Sequence, residues 1–446
     1  MRKMKDSGVK WIGKIPIEWE VGKTLYALSM PITDGPHETP ELFSEGVPFV
    51  SAEAVSCGNG HIDFEHIRGY ISQEFYEECC KKYIPQINDI YMIKSGATTG
   101  RVAKVETDRI FTIWSPLAVF RCDERRSFYN YLYYFIQSDA YQKQIENKWT
   151  YGTQQNIGMR TLEKLIVCYP PIEEQYRISR YLDEKCEKIE KIIEKQHKIV
   201  EELKAYKLAT ITEIVTKGIE RNIEMKDSGI EAIGLMPIDW EVMKLKYVFS
   251  EGKNGLKIGP FGSALRGKTL KNGEYKIYNQ AHLIQNDFSL NRHFIAQKTY
   301  EDLINYEVEP GDILFSMMGT IGKCSIMPKG YPKGIMDSHL LKAKLNNRII
   351  PEFFVYAYDK DYSNQVTPQL LYSSNGTIMN GLNSTVLKNI RIVVPPIIEQ
   401  EKIIKYLDCF CEKIDKQITK KEEFIMKLYE YKKSLIYEVV TGKKEV

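Results

Sequence analysis

The stretch PPIEEQYRISRYLDEKCEKI at positions 170–189 returns as PPIIEQEKIIKYLDCFCEKI at positions 395–414. The similarity extends without a gap over 170–216 and 395–441, where about half of the aligned residues are identical. A repeat of this length in a chain of 446 residues indicates that one structural plan is present twice.

A second repeat begins each copy, MKDSGVKWIGKIPIEWE at 4–20 and MKDSGIEAIGLMPIDWE at 225–241. Between the repeats, the sequences of the two copies share only a loose skeleton. Each half is therefore a shared frame around a divergent insert, which is the pattern expected for two specificities on one scaffold. We divide the chain into repeated N-terminal segments (1–24 and, with a linker, 218–245), divergent domains (25–169 and 246–394) and repeated C-terminal segments (170–217 and 395–446).

The repeated C-terminal segments have the apolar spacing of coiled-coil helices. Their charges balance, with equal numbers of basic and acidic residues in 172–217 and again in 397–441, which is typical of a scaffold and not of a phosphate-binding face. Two ordinary amphipathic helices on separate cores are the alternative. The predicted seam consists of Leu182, Cys186, Ile189, Ile193, Val200, Leu203, Ile214, Leu407, Cys411, Ile414, Ile418, Ile425, Leu428, Leu435 and Val439.

The order of the segments predicts the geometry of these helices. A 45-residue helix would be about 65 Å long, and only the short connector 217–224 separates the first helix from the second frame. The second domain should therefore lie near the far end of the first helix, and the second helix should run back antiparallel to it. The same reasoning places the end of the second helix beside residues 4–20, so the chain termini should be neighbours.

The divergent domains have a mixed pattern of strands and helices. Short apolar runs bounded by turn residues predict strands at 47–50, 89–93, 275–278 and 312–315. The stretches 127–147 and 351–362 predict short helices rich in tyrosine and phenylalanine. The expected fold class is α+β, with two globular domains separated by two long antiparallel coiled-coil helices and an approximate internal twofold repeat.

Composition excludes several classes of protein. There is no run of 18 or more apolar residues, so no membrane span is expected, and the N-terminal sequence lacks the apolar core of a signal peptide, which predicts a cytoplasmic protein. The nine cysteines include no CxxC pair, so neither a zinc ribbon nor a disulfide framework is indicated. The net charge of +3 neither requires nor excludes nucleic acid.

Catalytic motifs are absent or out of context. Residues 262–269 match the phosphate-loop pattern GxxxxGK[ST], but a turn signal and a predicted strand follow where that loop needs a helix. Neither Pro-Pro pair fits the base-gripping motif of amino-methyltransferases, and no metalloprotease, esterase or nuclease pattern is present. The triplet Asp183-Glu184-Lys185 is expected to be solvated on the charged helix face. The sequence therefore predicts a non-catalytic protein without a metal or cofactor of its own.

Polar, glycine-containing loops in both divergent domains are candidates for contact with nucleic acid. Side chains of Gln, Asn, Arg and Lys can read base edges, and glycine lets backbone amides approach phosphate, although ordinary polar turns have the same composition. The candidate residues are Thr33, Asp34, Gly35, His37, Lys94, Ser95, Thr98, Arg101, Tyr151, Thr153, Gln154 and Gln155 in the first domain, and Lys257, Phe261, Ser263, Arg266, Lys323, Ser374, Asn375 and Thr377 in the second.

The two frame repeats, the GPFGS sequence at 259–263 and the Gly-Thr-x-x-Asn pattern at 152–156 and 376–380 resemble the specificity subunits of type I restriction-modification enzymes. The resemblance covers the whole chain; Ala232, where the first copy has Trp11, is a small departure. It implies two target-recognition domains that each read one half of an interrupted site in double-stranded DNA.

The same resemblance implies the partners. The long helices would set the gap between half-sites and dock two modification subunits, which methylate adenine with S-adenosylmethionine, and restriction subunits would join with ATP and magnesium. Two other readings remain open. One is a related system whose partner joins methyltransferase and nuclease in one polypeptide, and the other is a coiled-coil repeat scaffold that binds no DNA.

Overall fold

The computed structural model describes residues 2–148, 150–151, 155–252, 255–290, 293–372 and 382–446. The chain forms two compact units: residues 1–196 with 423–446, and residues 197–422. The boundary between the units falls within each of the two long helices. Each unit therefore combines one frame segment, one divergent domain and part of both helices.

The first unit takes its strands and helices mainly from the first half of the chain. Its strands are β1 (Met4–Asp6), β2 (Lys14–Pro16), β3 (Glu20–Lys23), β4 (Thr33–Asp34), β5 (Val47–Val50), β6 (Gly69–Ile71), β7 (Ile90–Ile93), β8 (Val102–Lys104), β9 (Thr112–Ile113), β10 (Leu117–Phe120), β11 (Thr150–Tyr151), β12 (Gln155–Asn156) and β13 (Ile166–Tyr169). The helices of this half are α1 (Ala52–Cys57), α2 (Gln73–Cys80), α3 (Tyr129–Gln137), α4 (Asp139–Glu146), α5 (Met159–Leu162) and the long α6 (Ile172–Lys217).

The second half of the chain repeats this order. Its strands are β14 (Met225–Asp227), β15 (Leu235–Pro237), β16 (Glu241–Lys244), β17 (Leu256–Ile258), β18 (Tyr275–Tyr278), β19 (Phe294–Ile295), β20 (Ile313–Ser316), β21 (Cys324–Ile326), β22 (Gly334–Met336), β23 (Leu340–Ala343) and β24 (Arg391–Val394). Its helices are α7 (Gln280–Ile284), α8 (Gln297–Asp302), α9 (Pro351–Tyr358), α10 (Thr367–Tyr372), α11 (Ser384–Asn389) and the long α12 (Ile397–Val440). The four predicted strands and the predicted aromatic helices are confirmed.

The two divergent domains have one sheet topology. In the first, a four-stranded sheet has the order β4-β10-β7-β8, and a three-stranded sheet has the order β6-β5-β9 with β5 and β9 parallel. In the second, the orders are β17-β23-β20-β21 and β19-β18-β22, with β18 and β22 parallel. The domains therefore share a scaffold that their sequences barely reveal.

The frame repeats serve as joints between a domain and its helix. The indole Nε1 of Trp19 donates to Glu174 near the start of α6 at 2.9 Å, and Trp240 donates to Glu399 near the start of α12 at 2.8 Å. Both tryptophans are fully buried, so each indole N–H needs an acceptor. A hydrogen bond to a carboxylate contributes about 1.5–3 kcal/mol, which explains why Trp and Glu recur together in both copies.

The glutamine that follows each glutamate fixes the domain to the same helix. The side chain of Gln175 accepts from the backbone N–H of Phe128, just before α3, at 2.8 Å and donates to the carbonyl of Pro170 at 2.9 Å. Gln400 accepts from the N–H of Ile350, just before α9, at 2.8 Å. The repeated Pro-Pro-Ile-x-Glu-Gln sequence therefore orients the aromatic helix of each domain on its long helix.

Within each unit, parts of the two long helices pack antiparallel. In the first unit, Lys432 of α12 donates to Glu190 of α6, and Lys444 lies 5.7 Å from the ring of Tyr181, so the later residue of one helix meets the earlier residue of the other. In the second unit, Ile211 and Val215 of α6 share a core with residues of α12 such as Leu407. Most of the predicted seam residues are buried, and Leu203, Ile214, Ile418 and Leu428 are half-buried.

The end of α12 lies beside the first frame, which confirms the prediction that the termini are neighbours. The Lys443 ammonium donates to the carbonyl of Ile12, and the Tyr131 hydroxyl donates to the carbonyl of Val440 at 3.1 Å. Gly442, in the left-handed region at φ +68°, closes the helix where a Cβ atom would collide with Pro16. Only glycine fits this close approach.

Asp183, Glu184 and Lys185 are exposed, as expected, but Asp183 also contacts the first domain. Its carboxylate accepts from the Tyr134 hydroxyl and from the Asn130 amide, both at 2.7 Å. The matching Asp408 accepts from Tyr356 at 2.7 Å. The charged face of each long helix is therefore also a binding face for its own domain.

Candidate nucleic-acid interface

Four loops of the first domain meet at one edge, where β4, β7 and β9 end. Their contacts are backbone hydrogen bonds, from Ser115 to Pro36 at 3.2 Å, from Lys94 to Pro116 at 2.8 Å and from Ile157 to Lys94 at 2.9 Å. Three of the loops, at 33–37, 94–101 and 149–156, were predicted separately from the sequence, and of the last the structure describes 150–151 and 155–156. We call this edge the recognition edge of the first unit.

The second domain has a recognition edge with the same connections, where β17, β20 and β22 end. Met317 donates to the carbonyl of His339 at 3.0 Å, and Leu382 donates to the carbonyl of Met317 at 2.7 Å. These bonds correspond in position to those that join Lys94 to its neighbours in the first unit. Gly259 also donates to Leu340 at 2.9 Å, which holds the GPFGS loop at this edge. Because the backbone carries these bonds, the side chains are free to differ.

A buried carboxylate organises the first recognition edge. Asp34 is fully buried, and its oxygens lie 2.5 Å from the ammonium of Lys82, 3.3 Å from that of Lys94 and 3.1 Å from the His37 ring. Removing a carboxylate from water is costly unless cations compensate it, so Asp34 holds the ammonium groups of Lys82 and Lys94 in place. Asp34 is therefore a positioning residue for these two lysines, and the His37 ring lies beside it.

The second recognition edge has no such carboxylate at the same place, because Ile258 occupies the position of Asp34. Its prominent feature is Phe261, whose exposed fraction is 88%. Lys257 lies on β17 with its ammonium 5.3 Å from the Tyr306 ring, and Ser263 and Arg266 follow on the exposed loop. The first edge is thus ionic, and the second presents an aromatic ring with separate cations.

Two predicted contact residues lie among structural partners near the long helices. Arg101 donates to the carbonyl of Ser56 at 3.0 Å and lines a cleft of about 540 Å³ that it shares with Tyr429 of α12. Lys323 is 12% exposed and pairs with Asp361 at 2.6 Å and with the buried Asp359 at 3.4 Å. Their place at the recognition edge stays a prediction.

The remaining predicted residues fall in three groups. Thr33, Ser95 and Thr98 are half-buried, and Gly35 is buried. Ser95 forms a bridge with Asn156, Gln155 accepts from the Gly96 amide at 3.0 Å, and the backbone of Tyr151 pairs with Gln155 in the hairpin β11-β12. The residues outside the described part of the chain are Thr153, Gln154, Ser374, Asn375 and Thr377.

Sequence reasoning missed three residues near the first edge. Lys82 follows α2, far in sequence from the Asp34 that it contacts. The guanidinium of Arg68 lies 4.0 Å from the Trp114 ring, and Trp114 directly precedes the Ser115 that contacts the Gly-Pro turn. A stacked Arg–Trp pair can present a planar cation to DNA. No local motif marks these residues, because only the folded sheet brings them to the edge.

The phosphate-loop match has the wrong surroundings for nucleotide binding, as the sequence predicts. After this match, Leu270 bridges to Phe294, and the chain then enters strand β18 in place of a helix. Among the described residues, no group of three His, Cys, Asp or Glu side chains has the geometry of a metal site. In that same part of the chain, no helix is long and apolar enough to cross a membrane.

Comparison with known proteins agrees with this duplicated arrangement. The family model described as type I restriction modification DNA specificity domain matches residues 36–224 and 237–423. A Methanocaldococcus jannaschii protein, provisionally named the type I restriction enzyme MjaX specificity subunit, is 26% identical over 439 residues, covering 97% of this chain and 95% of that protein. The MjaVIII specificity subunit of the same organism is 24% identical over 403 residues, covering 86% and 85%.

A solved structure reported as the structural basis of complex assembly and conformational transition of the type I R-M system has the same fold. Its TM-score is 0.69 at 14% sequence identity, over 96% of this chain and 99% of that one. The two copies of the family model together span most of both halves of the chain. The protein therefore belongs to the family of type I restriction modification DNA specificity domains.

Proposed function

We propose that this protein is the DNA-specificity subunit of a type I restriction-modification system, and that each recognition edge reads one half of an interrupted site in double-stranded DNA. The observation that carries the proposal is the pair of edges with one backbone plan and different side chains. A catalytic duplication would keep its chemical groups in both copies. Two readers of different sequences would keep the scaffold and change the side chains that it carries, as Asp34 and Ile258 do.

The protein is a recognition subunit and acts with catalytic partners. Two modification subunits dock on the long helices, and restriction subunits join the assembly. We expect S-adenosylmethionine, ATP and magnesium to bind those partners. The internal repeat supports the presence of two modification subunits, because contacts such as that between Trp19 and Glu174 occur in both copies. A protein that binds the DNA of the cell must be in the same compartment as that DNA, which favours a cytoplasmic location.

The test is to co-express the chain with its modification subunit in a host that lacks adenine methylation and to sequence the methylated bases. The proposal predicts methylated adenines in a motif of two short specified parts separated by an unspecified gap. A binding titration of the purified complex on that motif and on a scrambled duplex is the second measurement. A protein-binding scaffold would give no methylated motif and no preference between the duplexes.

A further inference from the structure

We propose that His37 and Phe261 occupy the same specificity-determining position in the two divergent domains, and that each sets the base preference at one position of its own half-site. The inference rests on the proposed function and deepens it. The proposed function does not specify which side chains distinguish the two half-sites. The structure singles out this pair because each ring follows a Gly-Pro turn at the same strand register, while one ring is polar and the other apolar.

Strand register establishes that the positions correspond. Asp34 pairs with Ala118, the second residue of β10, and Ile258 pairs with Leu341, the second residue of β23. β10 and β23 occupy the same place in their sheets. Counting onward from Asp34 and Ile258, both chains continue with Gly, Pro and then a ring-bearing residue. The alignment therefore comes from hydrogen-bonded partners and does not depend on sequence similarity.

The two turns have little freedom. A Cβ atom on Gly35 would lie 1.9 Å from the carbonyl oxygen of Ile113, and one on Gly259 would lie 1.8 Å from that of Asp337. Backbone contact this close admits only glycine. The proline that follows fixes its own φ near −65°. A side chain delivered by such a turn loses little additional entropy when it meets a ligand, which suits a reading position.

Both rings project into solvent from these fixed turns. The side chain of His37 is 72% exposed, and Phe261 is 88% exposed. An aromatic ring left this open on a rigid turn contributes little to its own core, and a binding partner that covers it would gain its full apolar area. Since both turns lie at the recognition edges, this binding partner is the DNA.

The two rings would read different base features. The nitrogens of His37 can exchange hydrogen bonds with a base edge, and the Asp34 carboxylate lies 3.1 Å from Nε2 of the ring. Phe261 offers only apolar contact, which favours a thymine methyl group among the features of the major groove. The first half-site should therefore depend on a polar base feature at this position, and the second on an apolar one.

The test compares methylated motifs of complexes that carry His37→Ala, Phe261→Ala or Phe261→Leu. We expect H37A to relax one position of the first half-site only, and F261A to relax one position of the second only, with a loss of discrimination of about five-fold or more. F261L should retain more of the preference than F261A. Matched controls are Tyr26→Ala and Tyr247→Ala, which remove exposed rings from the start of the two divergent domains and should leave both half-sites intact.

The possible failures are distinguishable. If the wild-type complex methylates no bipartite motif, the proposed function is wrong. If the wild type is active and H37A and F261A keep their motifs unchanged, the function stands and this inference fails. The inference also fails if either substitution alters the half-site read by the other divergent domain. Thermal unfolding of each variant, expected to match the wild type because both side chains are exposed, excludes misfolding as the cause of a change.

Discussion

Lys432 of α12 donates to Glu190 of α6 at 2.5 Å. The corresponding residues of the repeat, each 225 positions away in the sequence, form the same kind of pair, in which Lys207 donates to Asp415 at 2.7 Å. Each lysine interrupts the apolar seam of its helix, where a leucine would pack at lower cost. An ion pair between helices fixes their register, because only one alignment brings the charges together. The repeat has kept this contact in both units.

Charge reversal tests whether the pair sets register. Lys432→Glu should place two acidic groups in contact and lower the free energy of unfolding by about 1 kcal/mol, since the pair is partly exposed. The double variant Glu190→Lys with Lys432→Glu should recover most of that loss. Thermal unfolding of the three proteins measures the coupling. A double variant no more stable than the single one would show that the pair contributes nothing.

The Trp–Glu joints differ in one respect that predicts pH dependence. In the first unit, Arg2 also donates to Glu174 at 2.9 Å; the second copy has Ile223 at the position of Arg2. Burial alone would raise the pKa of Glu174, but hydrogen bonds from Arg2 and Trp19 lower this pKa below its ordinary value of 4.5. The ionised carboxylate therefore stabilises the folded state above about pH 4.5, and this contribution is lost as the pH falls through the lower, folded-state pKa.

Glu174→Gln and Glu399→Gln form a matched pair for this test. Glutamine can still accept from the indole, so E399Q should cost little, whereas E174Q also loses the charged partner of Arg2 and should cost about 1–2 kcal/mol more at pH 7. The difference should shrink as the pH is lowered below 4. Unfolding curves at several pH values provide the measurement. Equal losses at every pH would contradict the role given to Arg2.

Two corresponding tyrosines are candidates for the docking of modification subunits. Tyr206 of α6 is 56% exposed and Tyr431 of α12 is 54% exposed, and they lie 225 residues apart. Aromatic residues of this kind often dominate interface energies. Either Tyr206→Ala or Tyr431→Ala should release one modification subunit, and the double variant should release both. Native mass spectrometry counts the subunits, with Tyr247→Ala as the control. Full assembly of the double variant would exclude this surface.

The long helices should also act as a ruler. Four residues add about 6 Å and roughly one turn to a helix, which preserves the facing of the seam, while two residues rotate it away. Inserting four residues near Ala205 should lengthen the unread gap by about one or two base pairs, at about 3.4 Å per base pair, and leave both half-sites unchanged. A two-residue insertion should mostly abolish methylation. An active four-residue variant with the original gap would contradict the ruler.

The sequence predicted those features that depend on local periodicity. Heptad spacing around Ile189 and Ile414 predicts the helices, because an apolar seam must repeat to be buried. Short apolar runs bounded by turn residues, such as Ile90–Ile93, predict buried strands. The Gly-Pro turns and the 94–101 loop could be proposed as contact sites because glycine and polar residues cluster there.

The common topology of the two domains could not be predicted, because backbone hydrogen bonds carry it. The bond from Lys94 to Pro116 has its counterpart between Met317 and His339, and these side chains have nothing in common. The place of Lys82 beside Asp34 was equally hidden, since a long-range ion pair leaves no local pattern. Asp183 is exposed as expected, but its hydrogen bonds from Tyr134 and Asn130 of α3 could not be predicted, because no local pattern marks them.

The most direct test of two independent readers is an exchange of one domain. Residues 25–155 are replaced by the corresponding segment of a family member that methylates a different motif, and the methylated bases of the hybrid complex are sequenced. The two-reader account predicts that one half-site changes to that of the donor, while the other half-site and the gap stay as they were. A hybrid in which both half-sites change together would contradict it.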